Sequence, residues 1–320
     1  MTATATHESY EDMLHTLSEG SVHQHFDPFV DIDWDSPEFA VEKDDPRWVL
    51  PEADALGRHP WYKALPLERQ IEIGMWRQAN IAKVGLQFEN ILIRGLMEHV
   101  MNLPNGSAEF RYCTHEATEE THHTQMFQQL VNRIGIDVPG GPGYFRFLAP
   151  YLPLAARFLP EIFFVGVLAG EEPIDHLQKS VLRSGDQLHP MLLRVMQIHV
   201  AEEARHISFA HEYMRQTTPK LSRPRKAFLS VAFPVVMRVL GDVIMKPGKE
   251  FRDDCDVPKK VLDEIFWDSQ EGRKLLREVF ADPRMLAEEL GLMNVVSRRV
   301  WSALRISGRP SRFRSEPAPA

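Results

Sequence analysis

His199, Glu203 and His206 follow one another at intervals of four and three residues. On a helix that spacing stacks the three side chains on one face over two turns. The stripe continues through Leu192 and Val195 on one side and Ala210 and Tyr213 on the other, so ligand-type residues occupy the face that should meet the core. An ionised Glu there is costly unless something positive holds it, and a metal ion is the simplest candidate. A second run repeats the theme. Glu119-Glu120-Thr121-His122-His123 and Glu202-Glu203-Ala204-Arg205-His206 both read Glu-Glu-x-x-His, followed by Met126 and Phe209 three residues on. The stripe Cys113, Ala117, Glu120, His123, Phe127, Leu130 selects Glu120 and His123 as the inward pair, with Glu119 and His122 as the alternative register.

With 27 Glu and 14 His in the chain, random placement gives roughly one Glu-x-x-His, so a single match says little. The His-x3-Glu-x2-His triple is expected only about 0.05 times by the same arithmetic. A bundle site of this type joins two Glu-x-x-His helices with one Glu from each of two others. Glu89 meets that need: Gly85, Leu86, Leu92 and Ile93 surround it at helical spacing, whereas Glu98, with Arg94 and His99 beside it, reads as a solvated face. The fourth acid is Glu171 or Glu172, which end the apolar run Phe163–Gly170. Val167, Leu168 and Ile174 favour Glu171 slightly; Glu172 has Leu168 and Ala169 behind it and Asp175 ahead. Mixed carboxylate and imidazole donors suit iron or manganese, and four carboxylates balance two divalent ions.

The elements that must position these residues read as helices. Helical periodicity covers about 67–103, 107–134, 160–184 and 189–216, separated by Pro104-Asn105-Gly106, a Pro/Gly loop at 139–143 and Gly185-Asp186. Further helical patterns lie near 225–246, 258–268, 271–280 and 283–306, and no stretch alternates as a strand does. The expected fold is all-α, a ferritin-like four-helix bundle with additional C-terminal helices over 66–307. Residues 1–65 read as a partly irregular acidic arm packed on the bundle, and 308–320 as a disordered basic tail. Two cysteines in 320 residues exclude a disulfide framework and a Cys-rich zinc site, and a net charge of −8 argues against nucleic acid. The N-terminus lacks a signal-peptide pattern. Charges and prolines interrupt the apolar stretches 145–170 and 227–245, so neither reads as a membrane span and a cytoplasmic location is expected.

Taken together, these residues resemble the diiron N-oxygenase family typified by p-aminobenzoate N-oxygenase, over roughly residues 65–215 and in total length. The mark of that family is a His four residues before the Glu of the last motif, which His199 supplies. The resemblance implies the ligands Glu89, Glu120, His123, Glu172, His199, Glu203 and His206. Glu172 enters because the family places this acid 27 residues before the extra His, and that spacing outweighs the weak local preference for Glu171. It implies two irons, a homodimer and a peroxo-diiron(III) oxidant made from O2 that attacks an electron-rich small molecule, in the family an aryl amine. Glu119, Glu202 and Asp175 are candidate acceptors for ligand imidazole N–H groups, and Arg205 a candidate to neutralise one of them. The substrate pocket is expected beside the irons, between the third and fourth helices and residues 227–245, with Phe164, Leu168 and Met196 as candidate lining. With no GxGxxG or P-loop motif, electrons are expected from an external reductase. Rival readings are a hydroxylase or desaturase of another small molecule, a ribonucleotide reductase small subunit, for which Tyr112 and Tyr213 are poorly placed, and a ferroxidase.

Overall fold

The computed structural model describes residues 9–184, 188–314 and 316. The hydroxyl of Ser9 accepts the N–H of Asp12, a cap that starts α1 (Tyr10–His23) inside the arm. The arm then runs irregularly to Pro66, with short helical turns at Pro37–Phe39, Pro46–Trp48 and Pro60–Lys63. Each turn begins with proline, whose missing N–H costs nothing at a helix start.

Four long helices follow: α2 (Leu67–Val100), α3 (Ala108–Ile134), α4 (Pro160–Ser184) and α5 (Pro190–Thr217). Local chemistry sets their ends. Ser107 caps α3 by accepting the N–H of Phe110, and Gly135 ends it at φ 75°, a conformation glycine adopts without a Cβ penalty. His189 caps α5 by accepting the N–H of Met191, with Pro190 as its first residue. Helix α2 lies along α3 and α4 along α5; contacts of α3 with α5 and of α2 with α4 close the bundle. Helix α6 (Arg223–Met245) packs along α4, while α1 lies across α3 and α5. The chain continues through α7 (Gln270–Glu278), α8 (Ala281–Glu289) and α9 (Val295–Ala303), the last packed on α6. No strand occurs among the described residues, so the chain is all-α, consistent with a ferritin-like bundle.

Three expectations change. The single helix expected over 283–306 is two, because Gly291 turns the chain at φ 66° and Asn294 caps α9 by accepting the N–H groups of Val296 and Ser297. The arm holds a helix, α1, that its acidic composition hid. The expected disordered tail is docked over 308–314: Ser311 is buried and donates its N–H to the Ala281 carbonyl at 3.1 Å. The cause is Arg284, a buried guanidinium that donates to the carbonyls of Arg277, Ile306 and Arg309. A buried cation needs its donors satisfied, and the docked segment supplies the acceptors. Residues 315 and 317–320 lie outside the described residues. Among the described residues one stretch, Arg223–Asp254, is apolar and long enough to cross a membrane by length and composition, and 44% of its apolar window is buried inside the molecule.

Candidate metal centre

Helix α2 contributes Glu89, α3 Glu120 and His123, α4 Glu171, and α5 His199, Glu203 and His206, all buried. Donor atoms of Glu89, His123, His199 and Glu203 lie within 4.8 Å of one another. The same holds for Glu120, His123, Glu203 and His206, and for Glu89, Glu120 and Glu171. The three groups share members and form one cluster at the centre of the bundle.

The outer nitrogen of each imidazole has its own acceptor. His206 Nε2 is 2.7 Å from Glu119 Oε2, and His123 Nε2 is 2.8 Å from Glu202 Oε2. The two Glu-Glu-x-x-His motifs thus support each other reciprocally: the first Glu of each helix takes the ring N–H of the other helix. His199 is turned the other way, with Nδ1 2.9 Å from Gln178 Oε1. A carboxylate or amide oxygen only accepts, so each outer nitrogen carries a proton and the inner nitrogen is the one that can give a lone pair to a cation; His123 Nδ1 also meets Glu120 Oε2 at 3.0 Å, where it bonds only as a donor. Those inner nitrogens face carboxylates: His206 Nδ1 is 2.7 Å from Glu120 Oε1, and His199 Nε2 is 3.3 Å from Glu203 Oε1. Although so close, His206 Nδ1 and Glu120 Oε1 are not aligned for a hydrogen bond, and neither Glu203 oxygen nor Glu89 Oε2 has a partner. Unpartnered carboxylate oxygens converging beside three imidazoles in a buried volume fit a cation of the carboxylate- and imidazole-binding class.

Proton affinities show the same crowding. Burial and the neighbouring Glu120 and Glu203 carboxylates push Glu89 well above the carboxylate range, and burial with Glu203, Glu89 and Glu120 does so for Glu171. Burial, the largest single influence, would lower His123 and His206, but the surrounding carboxylates, Glu120 foremost, together outweigh it and hold both well above the usual imidazole value. Against the opposing effect of burial, the imidazoles hold Glu120 down at about 2 and Glu203 well below the carboxylate range, so Glu89 and Glu171 are the acids left short of positive charge.

Six of the seven residues expected as ligands meet in this cluster. The seventh, Glu172, does not: its side chain turns away and bonds His211 Nε2. Glu171 takes the inward place. It shares a stripe with Val167, Ile174 and Gln178, in steps of four, three and four, whereas Glu172, about 100° round the helix, falls on the neighbouring face with Asp175 and Lys179. Asp175 is also displaced from its expected place behind an imidazole; it pairs with Lys179 at 2.7 Å, one turn along the same outer face. Glu119 and Glu202 lie where expected, and Arg205 Nη2 bridges them at 2.9 and 3.6 Å. The alternative His122 is outside the cluster. Phe164 and Leu168 are plain core, the former packed on Tyr213 with ring centroids 3.9 Å apart. Met196 lines a separate cavity.

Two residues escaped the sequence reading. Gln178 could have been found as the one polar side chain continuing the Glu171 stripe. Glu116, one turn before Glu120, is fully buried with neither oxygen paired, and burial pushes its carboxyl up to about 8. At neutral pH that favours its uncharged form.

The sequence profile of the p-aminobenzoate N-oxygenase AurF family matches residues 7–291. Uncharacterised proteins of Mycobacterium tuberculosis and Mycobacterium bovis are each 60% identical to the chain over 308 residues, which cover 96% of this chain and 91% of the relative.

Proposed function

Because the chain belongs to the p-aminobenzoate N-oxygenase AurF family, we propose that it is an O2-dependent diiron oxygenase acting on the nitrogen of an amine. Glu89, Glu120, His123, Glu171, His199, Glu203 and His206 hold the two ions in this reading. Bound iron supplies the redox chemistry that activates O2 and transfers oxygen. The protein does the rest. Glu119, Glu202 and Gln178 fix which nitrogen of each imidazole faces inward. Arg205 offsets the charge of the two outer carboxylates. Burial of the whole cluster keeps bulk water from the reacting centre. Electrons come from a separate reductase, and the working unit is a homodimer in the cytoplasm.

One observation carries this reading: three buried imidazoles, each with its outer nitrogen engaged, turn their inner nitrogens toward a cluster of four carboxylates drawn from four helices. It is tested by loading the protein with Fe(II) without oxygen, counting iron per chain, then admitting O2 with an amine and following the product by mass spectrometry. Two irons per chain and a product heavier by oxygen at nitrogen are expected. A chain that binds only zinc, or two irons with no O2 consumption, overturns the proposal. His199→Ala is expected to lose one iron and turnover; a variant keeping both would remove His199 from the site.

A further inference from the structure

A cavity of 270 Å³ lies between α2, α4, α6 and the segment 149–158. Phe88, Leu92, Phe163, Val167, Val235 and Leu240 are representative of its wall, and every lining residue except Glu171 is apolar. At its inner end Phe88, Gly170 and Glu171 also line a 40 Å³ pocket that touches Glu89 and His199. The cavity therefore shares a wall with the cluster at Glu171, and its size is near the lower end of small-molecule sites, about 300–1,000 Å³. Its outer end is lined by Leu152 and Ala155, and their neighbours Tyr151 and Phe158 stand 61% and 68% exposed.

We propose that this cavity binds the substrate and that the substrate is an uncharged, apolar molecule, not a carboxylated aryl amine such as p-aminobenzoate. That the bound atom facing Glu171 is an amine nitrogen rests on the function proposed above; the polarity of the ligand does not. The reason is electrostatic. A carboxylate in this cavity would lose its hydration and meet no cation and no hydrogen-bond donor in the lining side chains. Burying an unpaired charge costs several kcal/mol. Among the described residues no cation lines the cavity: Arg94, beside its outer end, donates to the Pro150 carbonyl at 2.8 Å, and Arg157 lies 3.7 Å from Glu98. Arg77 lines a neighbouring 100 Å³ cavity, but Asp54 already holds it at 2.6 Å, and that cavity touches none of the seven clustered residues. The arginines and lysines around the larger 340 Å³ cavity are on the far face of α4, at Glu172 and not Glu171. The adjacent pair Glu171 and Glu172 divides α4 into an apolar, cluster-facing side and a charged side.

Titration calorimetry with 4-butylaniline, neutral at pH 7, and p-aminobenzoate tests this on the Fe(II)-loaded protein without oxygen and on the metal-free protein. 4-Butylaniline is expected to bind at least tenfold more tightly. A Cβ added at Gly166 would meet only Leu240 Cδ1, at 3.7 Å, so Gly166→Leu places its side chain in the cavity without a backbone clash. This variant is expected to weaken 4-butylaniline at least tenfold with iron per chain unchanged; if it does not fold, Gly166→Ala should give a smaller loss in the same direction. Equal or tighter binding of p-aminobenzoate, or 4-butylaniline binding unaffected by either variant, overturns the proposal. Iron content separates the two claims. Selective 4-butylaniline binding by a chain that takes up no iron upholds the cavity and sinks the oxygenase; two irons with a preference for p-aminobenzoate does the reverse.

Discussion

Glu171 and Glu172 are neighbours in the chain and opposites in environment, so they make the sharpest residue-level test. Glu171 faces the cluster, while Glu172 bonds His211 and lines a charged cavity. Glu171→Ala should lower iron per chain, and Glu172→Ala should leave both irons bound while costing about 1–3 kcal/mol of stability for the stranded His211. Iron analysis and thermal melts of the two variants decide it; loss of iron from Glu172→Ala alone would reverse the assignment. The sequence held the correct signal here in the apolar neighbours of Glu171. The 27-residue spacing misled because it runs across the connection between α4 and α5, and a spacing that crosses a loop does not fix which helix face a residue occupies. Glu120, His123, His199, Glu203 and His206 were legible because their periodicity lies within single helices. Glu116 was not, since nothing in its spacing marks a carboxyl that burial keeps neutral. Glu116→Gln, close in shape and also uncharged, should retain both irons and melt no more than a few degrees from the parent; a large loss of iron would show that Glu116 works as an anion.

At the scale of elements, the arm is a structural part of the site. The Phe26 N–H donates to Glu202 Oε1 at 3.1 Å, and Arg205 donates to the Gln24 carbonyl at 2.9 Å. Chain just beyond α1 thus holds the carboxylate that holds His123. This link is invisible in the sequence because it joins positions 176 residues apart, and composition showed only an acidic, proline-rich stretch. The four bundle helices were readable almost to the residue, since caps and breakers act locally. The arm is also pinned to α2, where Gly74 lets the Trp48 carbonyl approach so closely that a Cβ would lie 1.9 Å from it. The obstacle is backbone, which cannot swing aside, so Gly74→Ala should destabilise by about 1–3 kcal/mol or more. Glu89 is 15 residues further along α2, about 22 Å away, so iron per chain should stay at the parent value. An unchanged melting temperature would show that the arm is only loosely laid on the bundle.

Across the whole molecule, the cluster is where four helices meet, and its acids repel one another until something positive joins them. Glu89 and Glu171 are both held well above the usual carboxylate range by burial and by the other acids. Metal binding should therefore stabilise the entire bundle and not only its centre. At a free ion concentration about a thousandfold above the dissociation constant, linkage gives about 4 kcal/mol. For a chain somewhat larger than 150–250 residues, where each kcal/mol moves the melting temperature by about 2–4 °C, that is a rise of about ten degrees. The rise should depend on residues that never touch the ion. Glu119→Gln replaces the charged acceptor behind His206 by a neutral amide, and changing such a partner typically weakens metal binding about 10–100-fold. That removes about 1.4–2.7 kcal/mol of the linkage term, so roughly a third to two thirds of the metal-induced rise should vanish at the same iron concentration. Melts of parent and Glu119→Gln protein, each with iron and with chelator, give the four temperatures required. If iron leaves the parent's melting temperature unmoved, the cluster is a buried network of hydrogen-bonded acids and imidazoles, and the diiron reading fails with it.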